Sequence, residues 1–94
     1  MYTTYNILID GATDTIYCIN VTKETAWALI KAKYETINVD VAWVYIEGGS
    51  FISSMNSLRN SRYYFSFSDN GAVRENMNII KKRFDRCIEE IKEG

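Results

Sequence analysis

Alternating apolar and polar residues predict β-strands in the first part of the chain. Residues 2–10 alternate in this way, with every second residue from Tyr5 to Ile9 on one face. A turn follows, and residues 15–21 are rich in β-branched and aromatic side chains. The two segments are therefore predicted to pair as a β-hairpin.

Two later segments show the three- and four-residue apolar spacing of an amphipathic helix. The first covers residues 23–36, and Thr22 is a suitable N-cap for it. The second follows a turn at residues 69–71 and has the clearest apolar stripe in the chain. Its apolar members are Val73, Met77, Ile80, Phe84, Cys87 and Ile91.

Two more strands are predicted between and after these elements. Residues 39–47 are apolar on both faces, which is typical of a strand near the centre of a sheet. Residues 61–68 alternate again, with the odd-numbered aromatic residues from Tyr63 to Phe67 predicted to point inward. Residues 50–60 are rich in Ser and Asn and have no clean period, so we interpret them as a loop or a short irregular strand.

The element order ββαββα predicts an α+β fold with a single domain over residues 1–94. We expect a two-layer sandwich in which one four-stranded antiparallel sheet has both helices on one face. Residues 8–11 align with residues 45–48, and residues 28–35 with residues 78–85. This suggests an internal duplication, although helical periodicity accounts for part of the second match.

Composition narrows the range of functions. The chain has 94 residues, 47% of them hydrophobic, with a net charge of −1 and no histidine. Without histidine there is no Ser-His or Cys-His nucleophile pair, and the commonest metal ligand is missing. We therefore predict a protein that is not an enzyme, with no catalytic residues, no metal and no cofactor.

The same sequence features predict a cytoplasmic location. No stretch approaches the roughly 20 apolar residues of a membrane span, so no membrane partner is expected. The N-terminus lacks the pattern of a signal peptide. The two cysteines, Cys18 and Cys87, fit a reducing compartment, in which they behave as small hydrophobic residues.

The segment from Arg62 to Phe67 is the basis of an alternative functional hypothesis, nucleic-acid binding. Its alternating aromatic residues resemble the strand of RNA-recognition domains on which bases stack, although the glycines of that motif are missing. The element order of those domains, βαββαβ, also differs from the one predicted here. Aromatic residues of an edge or core strand explain the segment better, and weak nucleic-acid binding is the second functional hypothesis.

Charge is unevenly distributed along the chain. Residues 1–58 carry 3 Lys against 6 Asp+Glu, whereas residues 59–94 carry 8 Lys+Arg against 6 Asp+Glu. A solvated helix face is the favoured interpretation of the basic residues on the last helix, and a binding patch is the alternative. Core packing is the favoured interpretation of the helix aromatics. The candidate partner-binding residues are Arg59, Arg62, Tyr64, Arg74, Lys81, Lys82, Arg86, Trp27 and Tyr34.

These observations favour a small protein-binding module that inhibits or modulates a larger cytoplasmic protein machine. In size and in its lack of catalytic apparatus, the chain resembles small accessory proteins of phages and mobile elements, such as anti-CRISPR and anti-restriction inhibitors. No sequence motif carries this resemblance. We expect a protein partner first and nucleic acid second, and a homodimer through the open sheet face is a third alternative.

Overall fold

The predicted α+β architecture is confirmed by a computed structural model, which describes residues 3–50 and 53–93. Its elements are β1 (Tyr5–Asp10), β2 (Thr15–Val21), α1 (Lys23–Thr36), β3 (Asp40–Gly48), α2 (Met55–Leu58), β4 (Tyr63–Asp69) and α3 (Met77–Glu93). The strands form one antiparallel sheet in the order β2-β1-β3-β4. Helices α1 and α3 share a core with one face of this sheet.

The main core lies between the sheet and the two long helices. Ile30 from α1 and Phe84 from α3 are completely buried, as the apolar stripes of both helices predict. Alternate strand residues face these helices. From the strands the core receives Tyr5, Ile7, Ile9, Ala42, Val44, Ile46, Phe65 and Phe67.

Helix α1 has the bounds that its sequence predicts. The Thr22 side chain accepts a hydrogen bond from the Thr25 N–H at 3.1 Å, which caps the first turn. Lys33 was not expected inside, yet it is only 5% exposed. Its Nζ lies 2.6 Å from the carboxylate of Asp14, so the buried ammonium has a charged partner.

The last helix begins later than its apolar stripe predicts. Val73 lies before α3 and is 66% exposed, so its predicted place on the helix is wrong. Val73 belongs instead to the turn that follows β4, because the Asn70 N–H donates a main-chain hydrogen bond to the Val73 carbonyl at 3.2 Å. The Asn76 side chain then accepts from the Asn78 N–H at 2.7 Å, and the helix starts at Met77.

The described part of residues 50–60 contains a short helix that was not predicted. This helix is α2, which Ser54 caps by accepting from the Ser57 N–H at 3.2 Å. A four-residue helix has too few turns to show an apolar period. Within the predicted segments, Tyr2, Phe51 and Ile52 lie outside the described residues.

The segment around α2 covers part of the second sheet face. We call its described residues, 53–62, the covering segment. Helix α2 contacts β1 and β3. Leu8 of β1, on the face turned away from the long helices, is completely buried, and so is Leu58 of α2. The Tyr17 hydroxyl donates to the Ser53 carbonyl, which ties the segment to β2 as well.

An ion pair between Asp10 and Arg59 makes the attachment of the covering segment dependent on pH. The hydrogen bond from Arg59 lowers the pKa of the Asp10 carboxyl, against a smaller opposing effect of burial. The folded-state pKa therefore lies below the unfolded-state value of about 3.9. The ion pair contributes fully above that value, and its contribution is lost as the pH falls through the folded-state pKa.

We expect Asp10→Asn to lower the free energy of unfolding by about 0.2–1 kcal/mol at pH 7, the range for partly exposed ion pairs. The same substitution should have a smaller effect at about pH 2, because protonation of the Asp10 carboxyl at falling pH removes the ion pair. Urea unfolding of both proteins at the two pH values measures the difference. An equal loss at both values would show that the charge of Asp10 does not stabilise the fold.

Candidate partner-binding surfaces

Three aromatic side chains lie together on the sheet face turned away from α1 and α3. Tyr45 of β3 and Tyr64 of β4 are directly opposite each other, with ring centroids 6.1 Å apart. Trp43 lies two residues before Tyr45 on β3, and its ring centroid is 6.2 Å from that of Tyr64. We call these three residues the aromatic face.

The aromatic face is open to solvent. Trp43 is 41% exposed and Tyr64 is 55% exposed, because the covering segment buries Leu8 but leaves these rings uncovered. Val41 and Val39 continue the exposed apolar surface along the chain. Large aromatic residues in contact with each other and with water are typical of protein interfaces.

Val39 also has an unusual backbone conformation. Its φ of 47° lies in the left-handed region, which costs a residue with a Cβ roughly 1–2 kcal/mol. Val39 is 67% exposed, so burial of its side chain does little to offset this cost. Strained residues of this kind are common at functional sites, and this one lies directly before β3, the strand that contains Trp43 and Tyr45.

Four of the predicted partner-binding residues form contacts between α1 and the part of the chain from Arg74 into α3. The Trp27 ring packs on Phe84 at 5.5 Å between centroids, and the Lys81 Nζ lies 5.5 Å from the Trp27 centroid. The Arg74 guanidinium lies 4.0 Å from the centroid of the Tyr34 ring. Trp27 and Tyr34 both pack against the main core, so the contacts of all four serve the fold.

Arg59, another predicted contact residue, is occupied within the protein. Its Nε lies 2.9 Å from the Asp10 carboxylate, and its NH1 donates to the Asn56 side chain at 3.0 Å. The contact with Asp10 holds the covering segment to β1, and the bond to Asn56 fixes the guanidinium within the segment. The Arg59 guanidinium is therefore already paired within the protein, and its role as a contact residue stays a prediction.

A second surface lies at the outer edge of β4, next to α3. Here three arginines border a shallow depression of about 340 Å³, which we call the arginine groove. Its lining residues are Arg62, Tyr64, Phe65, Arg83, Arg86, Cys87 and Glu90. Arg62, Tyr64 and Arg86 were predicted as contact residues, and this groove brings them together. Lys82, also predicted, is exposed on α3.

The groove contains a cysteine, but its thiol is not reactive. Burial raises the pKa of Cys87 to about 11, with a further contribution from Glu90. The thiol is therefore protonated at neutral pH and is a poor nucleophile. Within residues 3–50 and 53–93, no group of three or more Cys, Asp and Glu side chains is placed to hold a metal ion.

Sequence reasoning missed Trp43, Tyr45 and Arg83. The β3 pattern separates Trp43 and Tyr45 from Ala42, Val44 and Ile46, but both sets are apolar. The larger side chains occupy the open face, since Val44 and Ile46 are completely buried. One available signal was that β3 is apolar on both faces. If both helices cover one face of the sheet, the apolar side chains on the other face have no helix to pack against.

The described helices do not combine the length and apolar character needed to cross a membrane. Comparison of the chain with protein-family models, with curated proteins and with solved structures finds no match.

Proposed function

We propose that this protein is a binding module for another protein and that the aromatic face is its principal contact surface. The exposed contact of Trp43 with Tyr64, beside Tyr45, carries this proposal. Tryptophan and tyrosine dominate the binding energy of interfaces because they bury a large area and lose little conformational entropy. The rings are held on paired strands, so little ordering is needed on binding.

The mode of action we propose is steric inhibition or modulation of a larger protein machine. The aromatic face would occupy a partner surface and block a site or a movement there. The phage or mobile-element inhibitor class remains our favoured setting, in keeping with the small size of the chain. A cytoplasmic location belongs to the same proposal, because Cys18 and Cys87 are both free thiols.

Nucleic-acid binding is the second candidate, and one observation favours it. Aromatic rings on an open sheet face can stack with unpaired bases. The charges on this side of the sheet favour phosphate binding less. Arg59 is already paired with Asp10. The carboxylates of Asp40 and Asp69, which pair at one end of β3 and β4, would repel phosphate. Nucleic-acid binding would lose affinity steeply with added salt, whereas an interface anchored by aromatic residues would lose much less.

The test is affinity capture from host lysate with the wild-type protein and with the Trp43→Ala/Tyr64→Ala double variant, each with and without nuclease. We expect a stoichiometric protein partner that survives nuclease and is lost with the variant. Calorimetry with the purified partner should show affinity at least roughly 30-fold weaker, the equivalent of 2 kcal/mol at an interface hot spot.

The matched control is Ile79→Ala, because Ile79 is a large hydrophobic residue, 48% exposed, on α3. It should bind the partner as the wild type does. Unchanged affinity of the double variant for a captured protein would remove the aromatic face from the interface. Capture of nucleic acid alone, or of proteins that disappear with nuclease, would replace our proposal with the second candidate.

A further inference from the structure

The outer edge of β4 is only partly closed. β4 has β3 on one side, and none of the strands in the described part of the chain lies on its other side. Near its end, the Ser68 N–H donates to the Glu75 carboxylate at 2.8 Å, and the Ser68 carbonyl accepts from the Glu75 N–H at 3.4 Å. The Ser66 carbonyl accepts from Arg83 at 2.7 Å. These contacts block the edge against a further strand from the Ser66 carbonyl onward.

The earlier part of the same edge is open. Main-chain groups of alternate residues point to the same side of an antiparallel strand. Since Ser66 and Ser68 direct theirs outward, the N–H and C=O of Tyr64 and the N–H of Ser66 must point outward too. Within residues 3–50 and 53–93, none of these three groups has a hydrogen-bond partner. A short extended segment could pair with them.

The side chains next to this open edge are mostly positively charged. Arg62, Arg83 and Arg86 border the groove, with Glu90 as the single acidic lining residue. Arg83 is held by Glu75 at 2.6 Å, whereas Arg62 and Arg86 have no ion-pair partner in the described part of the chain. Two free guanidiniums beside unpaired strand groups favour a ligand that is both extended and acidic.

We propose that the edge of β4 and the arginine groove bind an extended acidic segment of the protein partner, which adds a fifth strand beside Tyr64. Side chains of an added strand alternate between two faces. Those on the groove side meet its two free guanidiniums, Arg62 and Arg86, and those on the other side meet the ring of Tyr64. The segment therefore alternates acidic with apolar residues, and this inference rests on the proposed protein-binding function.

The test uses two fluorescein-labelled seven-residue peptides, one alternating glutamate with valine and one alternating lysine with valine. We expect saturable binding of the glutamate peptide by fluorescence anisotropy and at least tenfold weaker binding of the lysine peptide. In nitrogen-15 spectra, the amides of Tyr64 and Ser66 should shift most and exchange more slowly with solvent. Absence of saturable binding, or shifts centred elsewhere, would overturn the proposal.

The decisive variant is Arg62→Glu/Arg86→Glu, which should weaken the glutamate peptide at least tenfold. Its matched control is Lys31→Glu/Lys82→Glu, with the same change in net charge at exposed positions of α1 and α3. Equal weakening by both pairs would show general electrostatic attraction and refute a built site. The Trp43→Ala variant should bind the peptide normally. If the protein partner is lost with Trp43→Ala but the wild type does not bind the peptide, this inference is refuted and the proposed function stands.

Discussion

Replacing Phe84 with alanine is expected to lower the free energy of unfolding by about 3–5 kcal/mol. The Phe84 side chain is completely buried, and its ring packs against Trp27 of α1. Its removal leaves a cavity where both long helices meet the sheet. Small domains have only about 5–15 kcal/mol of stability in total, so much of the protein's margin would be lost.

Urea unfolding followed by circular dichroism measures this loss. The control is Trp43→Ala, which removes a larger aromatic side chain from the exposed aromatic face and should cost about 1 kcal/mol or less. The two variants therefore separate the packing role of an aromatic residue from its surface role. Similar losses in both would contradict the division between the core and the aromatic face.

The elements whose local signals agree could be predicted from the sequence. Helix α1 begins and ends as expected, because Thr22 supplies the cap and the stripe of Ala26 and Ile30 faces the sheet. The inward set of β4 was also predicted, and Phe65 and Phe67 are buried. In each case the period and the flanking residues indicate the same element.

Predictions failed where tertiary contacts decide the structure. Val73 continues the spacing of the α3 stripe, but hydrogen bonds of Glu75 and Asn70 place it in the turn between β4 and α3. The covering segment depends on contacts with Asp10 and Tyr17, which lie far away in the chain. Local spacing contains no information about such distant partners, so the period alone could not reveal them.

The suggested duplication gains a structural counterpart in the sheet. Leu8 and Tyr45, which align in the two sequence halves, are direct partners between the central strands β1 and β3. An approximate two-fold axis between these strands would relate β2 to β4 and α1 to α3. Leu8 is buried by the covering segment, whereas Tyr45 belongs to the aromatic face. A common ancestry of the halves stays a prediction.

Leu58 lies in the covering segment, which buries the β1 part of this sheet face and leaves the aromatic face exposed. Leu58→Ala is expected to lower the free energy of unfolding by about 2–4 kcal/mol, since Leu58 is completely buried and its loss leaves a cavity above β1. Local opening should precede global unfolding, because the covering segment has only a four-residue helix of its own. Hydrogen exchange should therefore quicken most in residues 53–62.

Opening of the covering segment would expose Leu8 beside Tyr45 and extend the aromatic face across the sheet. We expect Leu58→Ala to bind more of a fluorescent apolar dye than the wild type under native conditions, because the exposed apolar area grows. Met55→Ala, in the same helix at a half-buried position, should have a much smaller effect on stability and on dye binding. Equally small effects of both variants would show that the segment is held by its polar contacts with Asp10 and Tyr17 rather than by Leu58.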